Sequence, residues 1–432
     1  MDQADSAQGA QNNTPNATGQ VSMVPAASRL SWLDHPSQVD SREWDALVAG
    51  VEGGSPFLRH GFLMAMIDSG SACPDTGWQP RFLVARNEAG ALVGACPVFL
   101  KSHSYGEYVF DWAWADAHDR ALAPHGRRYF PKLLSASPFS PIPGVRLLVH
   151  PALESEHQAA LRREMLSGLS QACEDEGWSS AHLLFVSHEE AEVAEAAGWL
   201  VRQGVQFHWQ NAEPAPYPSF EAFLASLQRD KRKKIQQERR KVRDAGVTFE
   251  VIEGAAIEEA DWDFFHRCYT RTYLEHGQRP YLDRSFWSQA HRAGPDQWVM
   301  FVACQAGERI AASLLAVDPH QRLAFGRYWG ALRQVSCLHF EACYHQPLAW
   351  CIERGMRRFE GGAQGEHKLA RGLLPSATRS VHWLQHPGLR EAVADFLHRE
   401  SQGIGRYVNE LEERAPFKPS GEPAHADARS TE

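Results

Sequence analysis

Two apolar β-hairpins with the same layout lie far apart in this chain, and they constrain its fold more than any other feature. Residues 82–99 and residues 299–315 each read as an apolar strand, a short turn with a glycine, and a second apolar strand. Helical sequence precedes each hairpin, and an aromatic segment, Tyr105–Trp114 or Leu323–Gly330, follows it as a predicted third strand. A repeated order of elements indicates a repeated unit. The sequence therefore predicts two α+β units in tandem.

The length of the chain agrees with two units. Its 432 residues exceed what one hydrophobic core usually organises, and a short proline-rich segment at residues 211–219 predicts the boundary. We expect a first domain over residues 29–210 and a second over residues 211–412. The polar segment 1–28 and the segment 413–432, rich in Pro, Gly, Ser, Glu and Ala, are predicted to be disordered tails.

Composition predicts a cytoplasmic protein without a membrane span. No apolar run approaches the roughly 20 residues that cross a bilayer, and the first 28 residues lack the basic start and apolar stretch of a signal peptide. Eight cysteines are scattered without a Cys-x-x-Cys pair, which is typical of reduced, buried thiols. His339 with Cys343, and Glu341 with His345, have helical i, i+4 spacing, but they do not converge with a third strong ligand. No metal site is predicted.

A strongly basic segment contrasts with the net charge of −9. Residues 229–243 contain nine Lys or Arg residues against two acids, so the segment carries seven net positive charges. Apolar residues at helical spacing predict one helix from Phe220 to about Asp244, with the cations outward. The predicted partner is the phosphates of a coenzyme, a nucleotide-linked sugar or tRNA, and an ordinary solvated helix face is the alternative. The cations expected to bind donor phosphates are Lys231, Arg232, Lys233 and Lys234.

The segment from Phe359 to Gly372 is the strongest candidate for a reactive site. It packs four glycines around an acid, an imidazole and two cations, and glycine lets the backbone approach a ligand where a side chain would collide. Charged side chains on a glycine-rich loop after a predicted strand are typical of functional loops. A structural turn is the alternative.

The aromatic segment of the first half contains two acids, Glu107 and Asp111. As a strand, it would alternate an aromatic face with a face that carries both carboxylates. Four residues along a strand span about 13 Å, so the two acids are not expected to share a proton. Asp111 lies among large apolar residues and needs a partner if it is buried.

Seven motifs together resemble a bacterial family of FemAB-like N-acyltransferases. They are Lys101–Asp111, Tyr129–Leu133, Gln206–Trp209, Lys231–Ile235, Gly326–Gly330, His339–Glu341 and Gly362–Gly372. The resemblance runs from about Ser31 to Glu400. It implies two GNAT-like units, each a mixed, mostly antiparallel sheet flanked by helices, and a link by name to peptidoglycan biosynthesis or recognition.

The resemblance leaves two acyl donors open. GNAT enzymes that use acetyl-CoA usually carry a Gln/Arg-x-x-Gly-x-Gly/Ala loop after the fourth strand, where helix amides hold the pyrophosphate. The corresponding segment here, Gly330–Cys337, lacks those glycines. The related Fem transferases use aminoacyl-tRNA, and the basic helix would suit either acyl-CoA or tRNA.

The expected chemistry is acyl or aminoacyl transfer to a small-molecule or peptide amine in the second unit. A base must remove a proton from the amine, and fixed donors must stabilise the oxyanion. The predicted catalytic residues are Glu366, His367, Lys368, Glu341 and Tyr328. The predicted substrate-binding residues are Arg327, Trp329, Tyr344, Arg371, Gly362 and Gly365. The alternative function is a noncatalytic module that binds tRNA or a peptidoglycan precursor.

Overall fold

The structure is a computed structural model, which describes residues 28–49, 55–362 and 365–418. Its β-strands are β1 (Arg29–Leu33), β2 (Trp78–Pro80), β3 (Phe82–Arg86), β4 (Leu92–Cys96), β5 (Phe99–Lys101), β6 (Lys132–Ser135), β7 (Leu148–Val149), β8 (Ser180–Val186), β9 (Leu200–Gln210), β10 (Val247–Glu253), β11 (Trp298–Gln305), β12 (Glu308–Asp318), β13 (Leu323–Ala331), β14 (Arg358–Glu360) and β15 (Leu374–Leu384).

The α-helices are α1 (Ser41–Ala49), α2 (His60–Asp68), α3 (Trp112–Leu122), α4 (Ser155–Glu176), α5 (His188–Ala196), α6 (Phe220–Ser226), α7 (Arg229–Asp244), α8 (Glu259–Glu275), α9 (Arg284–Ala293), α10 (Leu338–Phe340), α11 (Gln346–Glu353) and α12 (Pro387–Glu413). A π-helical turn, Glu341–His345, joins α10 to α11, and a 3-10 turn spans Glu366–Arg371.

The strands form two sheets. A four-stranded sheet has the order β1-β3-β4-β7, and an eleven-stranded sheet has the order β10-β11-β12-β13-β14-β9-β15-β8-β6-β5-β2. Among the described residues, the strand pairs are antiparallel except for β13 with β14 and β6 with β8. Both predicted hairpins form, as β3–β4 and β11–β12. The predicted α+β architecture with mixed, mostly antiparallel sheets is confirmed.

The two halves repeat one order of elements. Each has a strand, two helices and an antiparallel hairpin, followed later by a helix and a strand that pairs in parallel. In the first half these elements are β1-α1-α2-β3-β4 and α4-β8, with the short strand β2 inserted before the hairpin. In the second half they are β10-α8-α9-β11-β12 and α11-β14. The halves then exchange strands, because β9 of the first half pairs with β14, and β15 of the second half pairs with β8. The predicted boundary after residue 210 therefore separates two elements but not two sheets.

An apolar core also joins the halves. Phe57 contacts Phe325 with ring centroids 5.6 Å apart, and Phe62 contacts Phe286 at 5.5 Å, both edge to face. Aromatic pairs of this geometry contribute beyond the area that they bury. The two units are thus held by packed side chains as well as by a shared sheet.

The predicted third strand of the first half is wrong. Residues 102–111 form a loop, and α3 begins at Trp112. Both Gly106 and Tyr108 have positive φ, +79° and +64°, which no β-strand accommodates. The alternation of aromatic residues therefore does not sort them onto two faces of a sheet.

Two predictions at the helices also differ from the structure. The predicted helix 220–244 is two helices, because Leu227 leaves the helical conformation and pairs with Phe417, while the Gln228 amide donates to the Pro416 carbonyl. The closing helix continues to Glu413, and residues 414–418 dock beside α6. The beginning of the predicted C-terminal tail is therefore ordered. Residues 1–27 and 419–432 of the predicted tails lie outside the described residues.

Within the described ranges, none of the helices has the length and apolar character needed to cross a bilayer. The same part of the chain contains no group of three or more His, Cys, Asp or Glu side chains arranged to hold a metal ion.

Candidate active site at a split between two strands

Strands β13 and β14 separate part-way along their length. Their parallel pairing covers only Leu323 with Arg358, Ala324 with Phe359, and Phe325 with Glu360. Beyond that point β13 continues to Ala331, whereas the chain after β14 turns into the glycine-rich loop. A split in a sheet exposes unpaired backbone groups toward whatever enters it.

A β-bulge lies on the edge of this split. The partner of Leu314 on β12 is Tyr328, and the partner of Leu315 is Gly326, so Arg327 is the extra residue on β13. Bulges leave one residue out of the ladder and re-aim its side chain, and they are common beside active sites. The bulge places Arg327 where β13 and β14 diverge.

A small cavity of about 110 Å³ occupies the split. Residues of β13, of the helix that follows it, and of the loop after β14 line this cavity. Four of the predicted site residues line this cavity: Arg327, Tyr328 and Trp329 on β13, and Tyr344 on the π-helical turn. The structure thus brings together side chains that are distant in sequence.

Lys368 is a buried lysine at the split. Its side chain is buried, with 3% of its surface exposed, and its Nζ donates to the Gly362 carbonyl oxygen at 2.9 Å. None of the described carboxylates forms an ion pair with it. Burial, followed by the nearby charge of Arg327, lowers the pKa of Lys368 to about 7. A lysine with this pKa exchanges protons at neutral pH.

Arg327 is buried too, but it is paired. Its Nη2 lies 3.2 Å from a carboxylate oxygen of Glu360, and its Nη1 donates to the Gly326 carbonyl oxygen at 3.0 Å. Burial lowers the pKa of Arg327, and the charge of Glu360 opposes this effect. Glu360 also accepts an ion pair from Arg358 at 3.0 Å. This carboxylate fixes the position of the guanidinium.

Two further loop residues connect to neighbouring elements. The His367 Nε2 lies 3.1 Å from the Tyr344 hydroxyl, and burial lowers the pKa of His367. Arg371 lies over the Phe340 ring at 3.6 Å and forms an ion pair with Glu238 of α7 at 2.6 Å. His367 therefore lies beside the π-helical turn, and Arg371 anchors the loop to the basic helix.

Helix α7 presents its cations away from this anchor. Its buried face carries Ile235, Glu238 and Val242, whereas Lys233 and Lys234 are exposed and Lys231 and Arg232 are partly exposed. The predicted amphipathic character is confirmed, and the predicted role of the cations in donor binding stays a prediction.

Two predicted catalytic acids lie away from the split cavity. The carboxylate of Glu366 is at the surface, where it accepts from Tyr407 and Arg414, each at 3.0 Å. Glu341 is buried on the π-helical turn and pairs with Arg239 of α7 at 3.2 Å. Neither acid is therefore positioned to act on a substrate in the split. Gly362 and Gly365 flank residues 363 and 364, which lie outside the described residues.

A second cavity, of about 480 Å³, lies on the other side of β13. Arg327, Tyr328 and Trp329 line both cavities. The remaining walls come from helix α8 with the segment after it, and from the aromatic loop of the first half. The sequence pattern did not predict this cavity, because the alternating aromatic residues of that loop are typical of a strand.

A buried charge network supports the aromatic loop. Lys132 Nζ lies 2.9 Å from the Ser104 hydroxyl, 2.8 Å from Glu107 and 2.5 Å from Asp111. The expected partner of Asp111 is therefore Lys132, and both predicted acids contact one ammonium group instead of lying about 13 Å apart. The pKa of Asp111 is lowered: burial would raise it, but Lys132, His182 and the Ser104 hydrogen bond together outweigh burial. Glycine at position 106 was the one signal against a strand.

The comparisons with known proteins identify the family. The family model FemAB_like, described as peptidoglycan biosynthesis/recognition, matches residues 35–419. This chain belongs to the FemAB-like family. The predicted resemblance is confirmed over nearly the whole described chain. A search of curated proteins found no match.

Several solved structures resemble the FemAB-like chain at low identity. The C-terminal domain of a putative lysylphosphatidylglycerol synthetase from Agrobacterium fabrum is 11% identical, with 84% of this chain and 96% of that chain covered and a TM-score of 0.49. L-PGS from Bacillus licheniformis is 8% identical, with 83% and 97% covered and a TM-score of 0.49. A tandem GNAT protein from the clavulanic acid biosynthesis pathway is 12% identical, with 83% and 99% covered and a TM-score of 0.42. The repeated element order of this chain agrees with the predicted tandem of two α+β units with mixed, mostly antiparallel sheets.

Proposed function

We propose that this FemAB-like protein transfers an acyl or aminoacyl group to an amine, in the cytoplasm, on a small-molecule or peptide acceptor related to the cell wall. The observation that carries the proposal is Lys368, a buried lysine without a carboxylate partner among the described residues, at the point where β13 and β14 separate. Family membership supports the link to the cell wall.

Lys368 supplies the base in this proposal. An ammonium group cannot attack a carbonyl, so its proton must leave before or as the C–N bond forms. With a pKa of about 7, Lys368 is neutral in about half of the molecules at pH 7. Its neutral amine accepts the proton from the acceptor, and the Gly362 carbonyl holds the resulting ammonium at 2.9 Å.

The bulge supplies the oxyanion donors. Arg327 has no partner on β12, and the pairing with β14 has ended by this point. Its two Nη atoms are paired, but its buried Nε has no hydrogen-bond partner among the described residues, so this donor is available to a substrate carbonyl. The Glu360 carboxylate holds the guanidinium in place, which makes this site preorganised. Preorganised donors in a buried site make the largest contribution to the rate enhancement of many enzymes that transfer acyl groups.

Tyrosines complete the proton balance. Burial raises the pKa of both Tyr328 and Tyr344 above their ordinary value, so both hydroxyls are protonated at neutral pH. The Tyr344 hydroxyl lies 3.1 Å from His367 and borders the split cavity. It is placed to return a proton to the thiolate or hydroxyl that leaves the donor, with His367 as the hydrogen-bonded partner.

The donor is polyanionic in this proposal, either an acyl-CoA or an aminoacyl-tRNA. Helix α7 is tied to the site by the Glu238–Arg371 and Arg239–Glu341 ion pairs. Its outward cations therefore have a fixed position relative to the split. Either donor carries phosphates that these cations attract.

The test is a transfer assay with three proteins: the wild type, Lys368→Met, and Lys418→Met as a matched control. Lys418 is exposed and lies outside both cavities. Each protein is incubated with acetyl-CoA or charged tRNA and with a muropeptide amine, and the product is identified by mass spectrometry. We expect transfer by the wild type and the control, and a loss of about 10²–10⁴-fold in Lys368→Met. Full activity of Lys368→Met would refute the site, and donor binding without transfer by the wild type would favour the binding module.

A further inference from the structure

We infer that the 480 Å³ cavity at the junction of the two halves binds the acceptor through an organic ammonium group, which aromatic rings hold by cation–π attraction. This inference deepens the proposed function, on which the identity of the ligand as the acceptor rests. The binding itself can be tested without turnover.

The composition of the walls carries the inference. Nine of the fourteen lining residues are Phe, Trp or Tyr, and no Asp or Glu of the described residues lines the cavity. The rings come from both halves: Tyr105, Phe110 and Trp112 from the first, and Tyr269, Tyr273 and Tyr281 from the second. The π-electron faces of such rings attract cations, and a cation over several rings is bound in aromatic cages.

Several of these rings are open to solvent. Tyr105, Phe110 and Trp112 have 57%, 49% and 40% of their surface exposed, and they are among the most exposed large apolar side chains of the described residues. Tyr105 and Trp112 lie with ring centroids 5.0 Å apart. Exposed apolar patches next to a cavity typically mark a binding site.

The lack of a carboxylate suits an amine that must react. A carboxylate within about 4–6 Å would raise the pKa of the amine and hold it in its charged, non-nucleophilic form. Ring faces attract the cation less strongly than an ion pair, and Arg327, which lines both cavities, places a positive charge at β13. An ammonium group that passes from the rings toward the split is therefore driven to lose its proton.

The aromatic wall is fixed in place and does not belong to a free loop. Three residues of the loop, Ser104, Glu107 and Asp111, all contact the Nζ of Lys132, and the Tyr129 hydroxyl donates to Asp111 at 2.6 Å. The loop residues between these anchors carry Tyr105, Tyr108 and Phe110 into the cavity wall. Lys132 is therefore a positioning residue for the acceptor site. The first half contributes a wall of the site, and the second half contributes the reactive groups.

The first test separates charge from shape. Choline and 3,3-dimethyl-1-butanol have the same shape, but only choline is a cation, and neither can be acylated on nitrogen. Isothermal titration to the full chain is expected to show that choline binds about tenfold more tightly than the alcohol. Equal affinities would overturn the cation–π assignment. No choline binding would overturn the site, whether or not transfer is observed.

Variants locate the binding. Trp112→Ala is expected to weaken choline binding, whereas Val251→Ala, which truncates an exposed apolar side chain on β10 outside both cavities, is expected to leave it unchanged. Unchanged choline binding in Trp112→Ala would place the cation elsewhere and overturn the assignment.

Kinetics and competition connect the cavity to the acceptor. Trp112→Ala and Lys132→Met are expected to raise the KM for the acceptor while the KM for the donor stays constant, and circular dichroism checks that both variants are folded. An increase in the donor KM alone would contradict a role in acceptor binding. Cadaverine and glucosamine are then tested against bound choline, since an alkyl amine and an amino sugar both carry an ammonium group. Displacement by either supports the acceptor assignment, and displacement by neither overturns it.

Discussion

Replacing Lys368 by methionine is expected to stabilise the folded protein while it abolishes transfer. Lys368 has 3% of its surface exposed, and its pKa falls from 10.5 to about 7 on folding. Each pKa unit corresponds to 1.36 kcal/mol, so keeping this lysine protonated in the fold costs about 5 kcal/mol below pH 7. Methionine removes this cost, at the expense of one hydrogen bond to Gly362 worth about 1 kcal/mol. The expected gain is a few kcal/mol.

The pH dependence of the free energy of unfolding shows whether the lowered pKa of Lys368 causes this gain in stability. Between about pH 7 and 10.5 the unfolded chain retains the Lys368 proton and the folded chain has released it. The unfolded state therefore binds more protons, and the stability of the wild type rises with pH over this range. The methionine variant lacks this rise. The gain in free energy of unfolding of the variant over the wild type should therefore shrink by about 3 kcal/mol from pH 7 to pH 9, since each of the two pH units corresponds to 1.36 kcal/mol.

Denaturant unfolding of both proteins at pH 6.5, 8 and 9 measures this difference. Lys132→Met is the matched control, because Lys132 is equally buried but contacts two carboxylates, and their charges outweigh burial and raise its pKa. Removing that cation should destabilise the protein by about 3–5 kcal/mol. The reasoning is refuted if Lys368→Met is less stable than the wild type at pH 6.5, or if the two proteins show the same pH dependence.

Three further predictions concern charged residues around the site. Glu366→Ala should retain activity to within about twofold, measured as kcat/KM, because its carboxylate is paired at the surface away from the split; a hundredfold loss would return Glu366 to the mechanism. The double variant Lys233→Ala/Lys234→Ala should weaken donor binding. It should also reduce the slope of the logarithm of the binding constant against the logarithm of the salt concentration by about two, measured by titration at several salt concentrations. An unchanged slope would exclude these cations from donor contact. Glu238→Gln should lower the free energy of unfolding at pH 7 by about 2–4 kcal/mol, because it leaves Arg371 buried without its partner. His345 and Arg371 hold the pKa of Glu238 below its ordinary value against the effect of burial, so this difference should shrink as the pH falls from the ordinary pKa of a glutamate through that lowered pKa; a constant difference would contradict the ion-pair role.

Sequence patterns predicted the parts of the site that depend on local backbone chemistry. The glycines and cations of residues 359–372 indicated a reactive loop, and the structure brings Lys368 of that loop and Arg327 together beside Gly362. The same pattern could not show that Lys368 lies in the site while Glu366, two positions earlier, does not. In a 3-10 turn those side chains leave the backbone in different directions, and one is buried while the other pairs with Arg414 at the surface.

Sequence patterns failed where long-range contacts decide the conformation. The loop of residues 102–111 has the composition of a strand, since aromatic residues favour sheets. Three of its polar groups instead bond to Lys132, more than 20 residues later in the chain. Satisfying that buried ammonium outweighs local propensity.

The repeated α+β order, the amphipathic basic helix and the family can be read from the sequence, because periodicity, turn residues and motifs are local properties of the chain. Three features emerge only in the folded protein: the halves exchange β9 and β15, a split opens at Arg327, and the aromatic loop lines the cavity on the other side of β13. These features depend on contacts between residues far apart in sequence. No local pattern encodes which distant groups will be buried together, and burial is what lowers the pKa of Lys368 and fixes the loop on Lys132.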